Sequence, residues 1–139
     1  MLILLLLPVV FSACGEINLE KYSVEEPWVR SMPPGSKMTA AYFTVTNNSD
    51  EAIRIIAAGA AEFSSATLHE SVVTDGVASM VEIPVLTILP GESVSLEPGG
   101  KHMMLMGGRF EEIPKDCCAL RLEIEDQQPL LFYAPLNRH

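Results

Sequence analysis

The stretch Ala66-Thr67-Leu68-His69-Glu70-Ser71-Val72-Val73-Thr74-Asp75-Gly76-Val77-Ala78-Ser79-Met80-Val81-Glu82-Ile83 decides the class of fold. Two β-type runs flank Asp75-Gly76, a dipeptide that accepts positive φ at both positions and so closes a two-residue hairpin. The outgoing strand begins near Ala66 and runs to Val73, and the return strand is Val77 to Ile83. Such a turn sets His69 and Met80 on opposite strands within one or two rungs of each other, near enough to reach a common point on one face.

The same grammar continues outward on both sides. Upstream, Thr39 to Thr46 alternates, with Ala41, Phe43 and Val45 on a core face and Tyr42, Thr44 and Thr46 on a wetter one, before Asn47-Asn48-Ser49-Asp50 stops the run. Ile53 to Ala58 is the next strand. Downstream, Leu86 to Leu89 and Ser93 to Leu96 flank Pro90-Gly91, and Pro98-Gly99-Gly100 turns the chain into His102 to Met106, which Gly107-Gly108 ends. Cys117 to Glu125 and Leu130 to Ala134 complete a set of eight or nine short strands. No helical period persists for more than about two turns. The expectation is an all-β domain, a sandwich or Greek-key barrel.

Residues 1–13 are almost wholly apolar and too short to span a bilayer, and small residues precede Cys14, so they read as a cleaved export signal. Phe11-Ser12-Ala13-Cys14 resembles the lipobox of bacterial lipoproteins, which implies a lipid on Cys14, although no Lys or Arg precedes the apolar run. Residues 14–23 are then expected to be a lipidated end and short tether, and residues 24–139 one β domain of ordinary core size. With Cys14 given to a lipid, Cys117 and Cys118 remain; neighbours on a strand point to opposite faces. One is expected as a buried small hydrophobe and the other as a partly exposed thiol, leaving the core to hold the fold without a disulfide framework.

A formal charge of −9 with singly scattered Lys and Arg excludes nucleic acid and offers no polybasic patch for a membrane, so contact with a membrane is expected only through the N-terminal lipid. No nucleophile elbow or metalloprotease pattern is present, and the chain is not expected to be an enzyme. The chemistry gathers at Lys101-His102-Met103-Met104-Leu105-Met106. Period-two geometry puts His102, Met104 and Met106 on one face and Met103 and Leu105 on the other.

Together with the hairpin this gives His69-x10-Met80-x21-His102-x-Met104, and the pattern resembles that of the periplasmic PCuAC copper chaperones. The likeness runs from about Glu26 to Pro135 through Pro27-Trp28-Val29-Arg30, Ala40-Ala41-Tyr42-Phe43, Leu68-His69-Glu70 and Pro98-Gly99-Gly100-Lys101. It implies a cupredoxin-like barrel binding one Cu(I) through His69, Met80, His102 and Met104, with Met103 and Met106 outside the pattern. It also implies a location in the bacterial periplasm or cell envelope. The partners it implies are cytochrome c oxidase subunit II, whose CuA site would receive the ion, and Sco-type thiol proteins. Independently, neutral thioethers suit Cu(I), whereas zinc prefers thiolates, further imidazoles or a carboxylate. Methionine also survives an oxidising envelope that would pair cysteines. His139 reads as a terminal spectator and Trp28 as core or partly buried.

Three other readings have distinct requirements. A blue-copper electron carrier needs a Cys thiolate with histidines around it, and only His139 follows Cys117-Cys118. A copper storage or resistance protein would use the same ligands. A metal-free adhesion or scaffold sandwich would bind no copper.

Overall fold

A computed structural model describes residues 14–108 and 117–137, and the strands within it are β1 (Ile17–Asn18), β2 (Tyr22–Arg30), β3 (Met38–Asn47), β4 (Ile53–Ala60), β5 (Ser65–Thr74) and β6 (Val77–Glu82), followed by β7 (Leu86–Ile88), β8 (Ser93–Leu96), β9 (Lys101–Met106), β10 (Cys117–Ile124) and β11 (Leu130–Asn137). The expected signal, residues 1–13, and His139 lie outside the described residues. Among the described residues no helix is long and apolar enough to cross a membrane.

The strands close on themselves. Following the hydrogen-bonded neighbours gives β2-β11-β10-β4-β5-β9-β3, and β3 pairs back onto β2, so seven strands form a ring. The other four are appended, β1 on β2, β8 on β3, β7 on β4 and β6 on β5. The ring pairs are antiparallel except β11 with β2, which run parallel where Leu136 meets Val29. This is the expected all-β, cupredoxin-like Greek-key barrel or sandwich.

Alternation fills its interior. Ala41, Phe43 and Val45 point in from β3, Leu68 from β5, Met103 and Leu105 from β9, and Leu120, Leu122 and Ile124 from β10, all buried. Phe43 and Phe132 meet edge-on with ring centroids 5.0 Å apart, an arrangement worth about 1 kcal/mol beyond the area it buries.

Four expectations change. Strands β1 and β2 were not foreseen, because β2 breaks its own period: Tyr22 and Val24 are buried, then Pro27 and Val29, with a register shift between Glu25 and Trp28 and a positive φ of 50° at Glu26. That bulge inserts one residue and moves the inward side chains onto the opposite parity. The expected tether over residues 14–23 carries β1 and the start of β2, since Ile17 and Asn18 pair with Val24 and Ser23 and the Tyr22 side chain is buried against Gln127. Tyr42, placed on the wetter face, is buried because Trp28 lies opposite it on β2 with ring centroids 4.6 Å apart. Finally, Cys117 is not a lone thiol: it is joined to Cys14 by a disulfide, with Cα atoms 6.1 Å apart, while Cys118 is the expected buried residue. The sequence treated Cys14 as spoken for by lipid and so left it out of any pairing.

Candidate metal centre

Strand β9 lies between β5 and β3, so its outward side chains have neighbours on both sides. Its register sets His102 opposite His69 and Met104 opposite Thr67 on β5, and Met104 opposite Ala40 on β3. The hairpin turn uses Asp75 at φ 52° and Gly76 at φ 78°, and the resulting two-residue loop sets Thr74 against Val77 and Ser71 against Met80. Met80 is therefore on the same face as His69, displaced by two positions. Met103, by contrast, is fully buried in the core.

The four predicted positions thus meet on one outward face. The rings of His69 and His102 are stacked, 18° from parallel with centroids 5.9 Å apart. Met80, His102 and Met104 line an open groove of about 430 Å³ together with Met38, Tyr42 and Arg30. Met80 is 59% exposed on a strand held by β5 alone, so it is the most solvent-accessible of the four side chains.

Local hydrogen bonds orient both imidazoles. His102 Nδ1 lies 3.2 Å from the Gly100 carbonyl, which can only accept, so in the neutral ring Nδ1 carries the proton and Nε2 the lone pair. That Nε2 is buried and has no hydrogen-bond partner among the described residues. An unsatisfied buried acceptor costs about 1–3 kcal/mol, a cost removed when a metal ion takes the lone pair. His69 Nδ1 is 3.3 Å from Thr67 Oγ1, a hydroxyl that can donate or accept, so this contact orients the ring in either tautomer.

The donor chemistry fits a soft monovalent ion. Among the described residues no three His, Cys, Asp or Glu side chains come together as a metal-holding group, so imidazole and thioether are the donors this face can combine. Thr67 and the Gly100 carbonyl are the contributors absent from the sequence-based expectation. Thr67 was findable from its position two residues before His69 on the same face; Met38, which lines the groove outside the ligand set, was not, because only the β3–β9 register brings it alongside.

A closed β-barrel of this topology, with two stacked imidazoles and neighbouring thioethers on its outer wall, is a cupredoxin-like fold carrying a cluster of soft donors. The chain belongs to the family described as "Putative lipoprotein LpqE-like", whose profile matches residues 22–136. In sequence it is similar to "Putative lipoprotein Lxx21020" of Leifsonia xyli subsp. xyli (strain CTCB07), 38% identical over 85 residues that make up 60% of this chain. The match spans about half (50%) of that relative's length. In structure it is similar to the copper-bound PCuAC domain from PmoF2, with a TM-score of 0.73 at 22% identity over 90% of this chain and 99% of that one. It is also similar to the Cu(I) form of DR1885 from Deinococcus radiodurans, with a TM-score of 0.62 at 30% identity over 81% of this chain and 76% of that one. The fold is that of PCuAC domains, as the motif implied.

Proposed function

We propose that this protein binds one Cu(I) through His69, Met80, His102 and Met104 and carries it in the cell envelope without catalysing a reaction. The observation that carries the reading is the buried Nε2 of His102, without a hydrogen-bond partner among the described residues, in a groove shared with the thioethers of Met80 and Met104. The Cu(I) form of a relative at 30% identity supports the choice of ion. The ligands would be two imidazoles, held in place by the Gly100 carbonyl and Thr67, and two thioethers, of which Met80 is the more open to exchange. A partner's donor would enter beside Met80 and pull the ion across without releasing it to water.

The test is an anaerobic Cu(I) titration of the protein against a competing chelator, with Met80→Leu and Met104→Leu beside wild type. Each variant is expected to weaken binding by about tenfold or more, a loss of about 1.4 kcal/mol or greater. Equal affinity in all three proteins would reject the ligand set.

The acceptor suggested by the resemblance is the CuA site of cytochrome c oxidase subunit II, served alongside Sco-type thiol proteins. Incubating Cu(I)-loaded protein with an apo CuA domain should build the CuA absorption bands under mild oxidation; no bands, with the copper still on the carrier, would point to storage or resistance instead.

Attachment to the envelope membrane by a lipid on Cys14 is supported by the lipobox-like Phe11-Ser12-Ala13-Cys14 and the lipoprotein family. That sulfur is the one joined to Cys117, and a single Sγ holds either a thioether-linked lipid or a disulfide. Acylation therefore leaves Cys117 as a second thiol beside Cys118. Mass spectrometry of the mature protein should find a diacylglyceryl group on Cys14 and two free thiols. An unacylated Cys14 with a single free thiol would refute the anchor.

A further inference from the structure

Four of the seven methionines, Met38, Met80, Met104 and Met106, stand on the same face of the barrel. Two belong to the centre described above. The other two, Met38 on β3 and Met106 on β9, are direct cross-strand partners. Residues so opposed have Cβ atoms about 5 Å apart, so two flexible thioether arms can close on a single ion.

The surroundings keep this pair in place and open. Met106 O accepts from Ser64 N at 2.9 Å, Lys37 O accepts from Gly107 N at 2.8 Å, and Met38 O accepts from Ser36 Oγ at 3.0 Å. The backbone on both sides is therefore fixed while Met38 remains 52% exposed and lines the same groove as Met80, His102 and Met104. Ala40, opposite Met104 and next to Met38 on this face, is too small to stand between the two thioethers. Met104 is about 7 Å along the strand from Met106, and on the diagonal from Met38, so the pair adjoins the inner centre without sharing its imidazoles.

We propose that Met38, on the groove wall, and Met106, its cross-strand partner beside the groove, form a second, weaker site for a soft monovalent cation, a two-thioether station through which Cu(I) reaches or leaves Met104. Two neutral sulfurs with no imidazole select Cu(I) or Ag(I) over Zn(II) and Cu(II). The inference rests on the Cu(I) reading of the inner centre.

The test is an anaerobic Cu(I) titration of the full chain with 13C-methyl-labelled methionine, followed by NMR. The first equivalent is expected to move the Met80 and Met104 methyl signals, and the second those of Met38 and Met106, while Met32, packed on the core, stays still. Met38→Leu and Met106→Leu should each weaken the second equivalent about tenfold and leave the first within about twofold. Leucine is close to methionine in volume, and an unchanged amide spectrum verifies the fold. Methyl signals of Met38 and Met106 that stay put through two equivalents, or a double variant that keeps its second equivalent, would overturn the outer station. A first equivalent unmoved by Met80→Leu and Met104→Leu would instead overturn the inner ligand set, and the two failures are read from different signals.

Discussion

His102 combines two properties that ordinary core residues do not: it is only 6% exposed, and one of its ring nitrogens has no hydrogen-bond partner among the described residues. Replacing it by an apolar residue of similar bulk removes an unpaired acceptor, so His102→Leu should leave the apoprotein within about 1 kcal/mol of wild type. The thermal stabilisation that Cu(I) gives should disappear in the same variant, a contrast calorimetry can read directly. Thr67→Val removes the hydroxyl beside His69 Nδ1 and should weaken Cu(I) binding by less than the loss of a ligand. Cys118 has no part in the centre. Burial, reinforced by the nearby Glu62 carboxylate, pushes its thiol up to about 12 from 9.0. Well below pH 9 the thiol is neutral in both folded and unfolded chains, so it adds no pH dependence there. Above that, the unfolded chain releases a proton that the folded one retains, and stability should fall as pH rises from 9 toward 12. Denaturation midpoints across that range check the sign, and slow alkylation of Cys118 at pH 8 checks its burial.

At the scale of elements, β6 brings one proposed ligand, Met80, and has little besides β5 to hold it. Every residue of β6 is exposed, and β6 pairs with β5 alone, so its position depends on the turn. Gly76 has φ 78° and open space around its Cβ position, which makes Gly76→Ala a problem of backbone strain and not of packing. A cost of about 1 kcal/mol is expected, together with weaker Cu(I) binding as Met80 is displaced. Gly107, which ends β9 at φ 70°, is different in kind: an added Cβ would land on Ser64 Oγ and come within 2.9 Å of Ser64 Cβ. Gly107→Ala combines strain with a clash against a neighbouring turn and should cost about 3 kcal/mol, measured by urea denaturation.

The whole molecule separates what stabilises the barrel from what binds the ion. Asn47, fully buried at the far end of β3 from Met38, donates from Nδ2 to Glu51 O at 2.7 Å and to Ile88 O at 3.0 Å. Its Oδ1 accepts from Ser49 N at 3.0 Å and Ser49 Oγ at 2.6 Å. Through these bonds one side chain ties the end of β3 to the following turn and to β7. Asn47→Ala strands those partners inside the protein and should cost about 3 kcal/mol while leaving Cu(I) affinity of the folded protein unchanged. Loss of copper binding in step with stability would mean that the two ends of the barrel are coupled.

The alternating run around Phe43, the Asp75-Gly76 turn and the period of Lys101 to Met106 carried the all-β class, most strand positions and the faces of the methionines, because side-chain parity and turn chemistry are local properties. The spacing of His69, Met80, His102 and Met104 likewise singled out the candidate donors before any geometry was available. Neighbours across strands were not available from the chain alone, since register is set by pairing between segments far apart in sequence. Only the folded barrel could bring His69 onto His102, bury Tyr42 beneath Trp28, draw Cys14 to Cys117, conceal β2 behind its bulge and set Met38 against Met106.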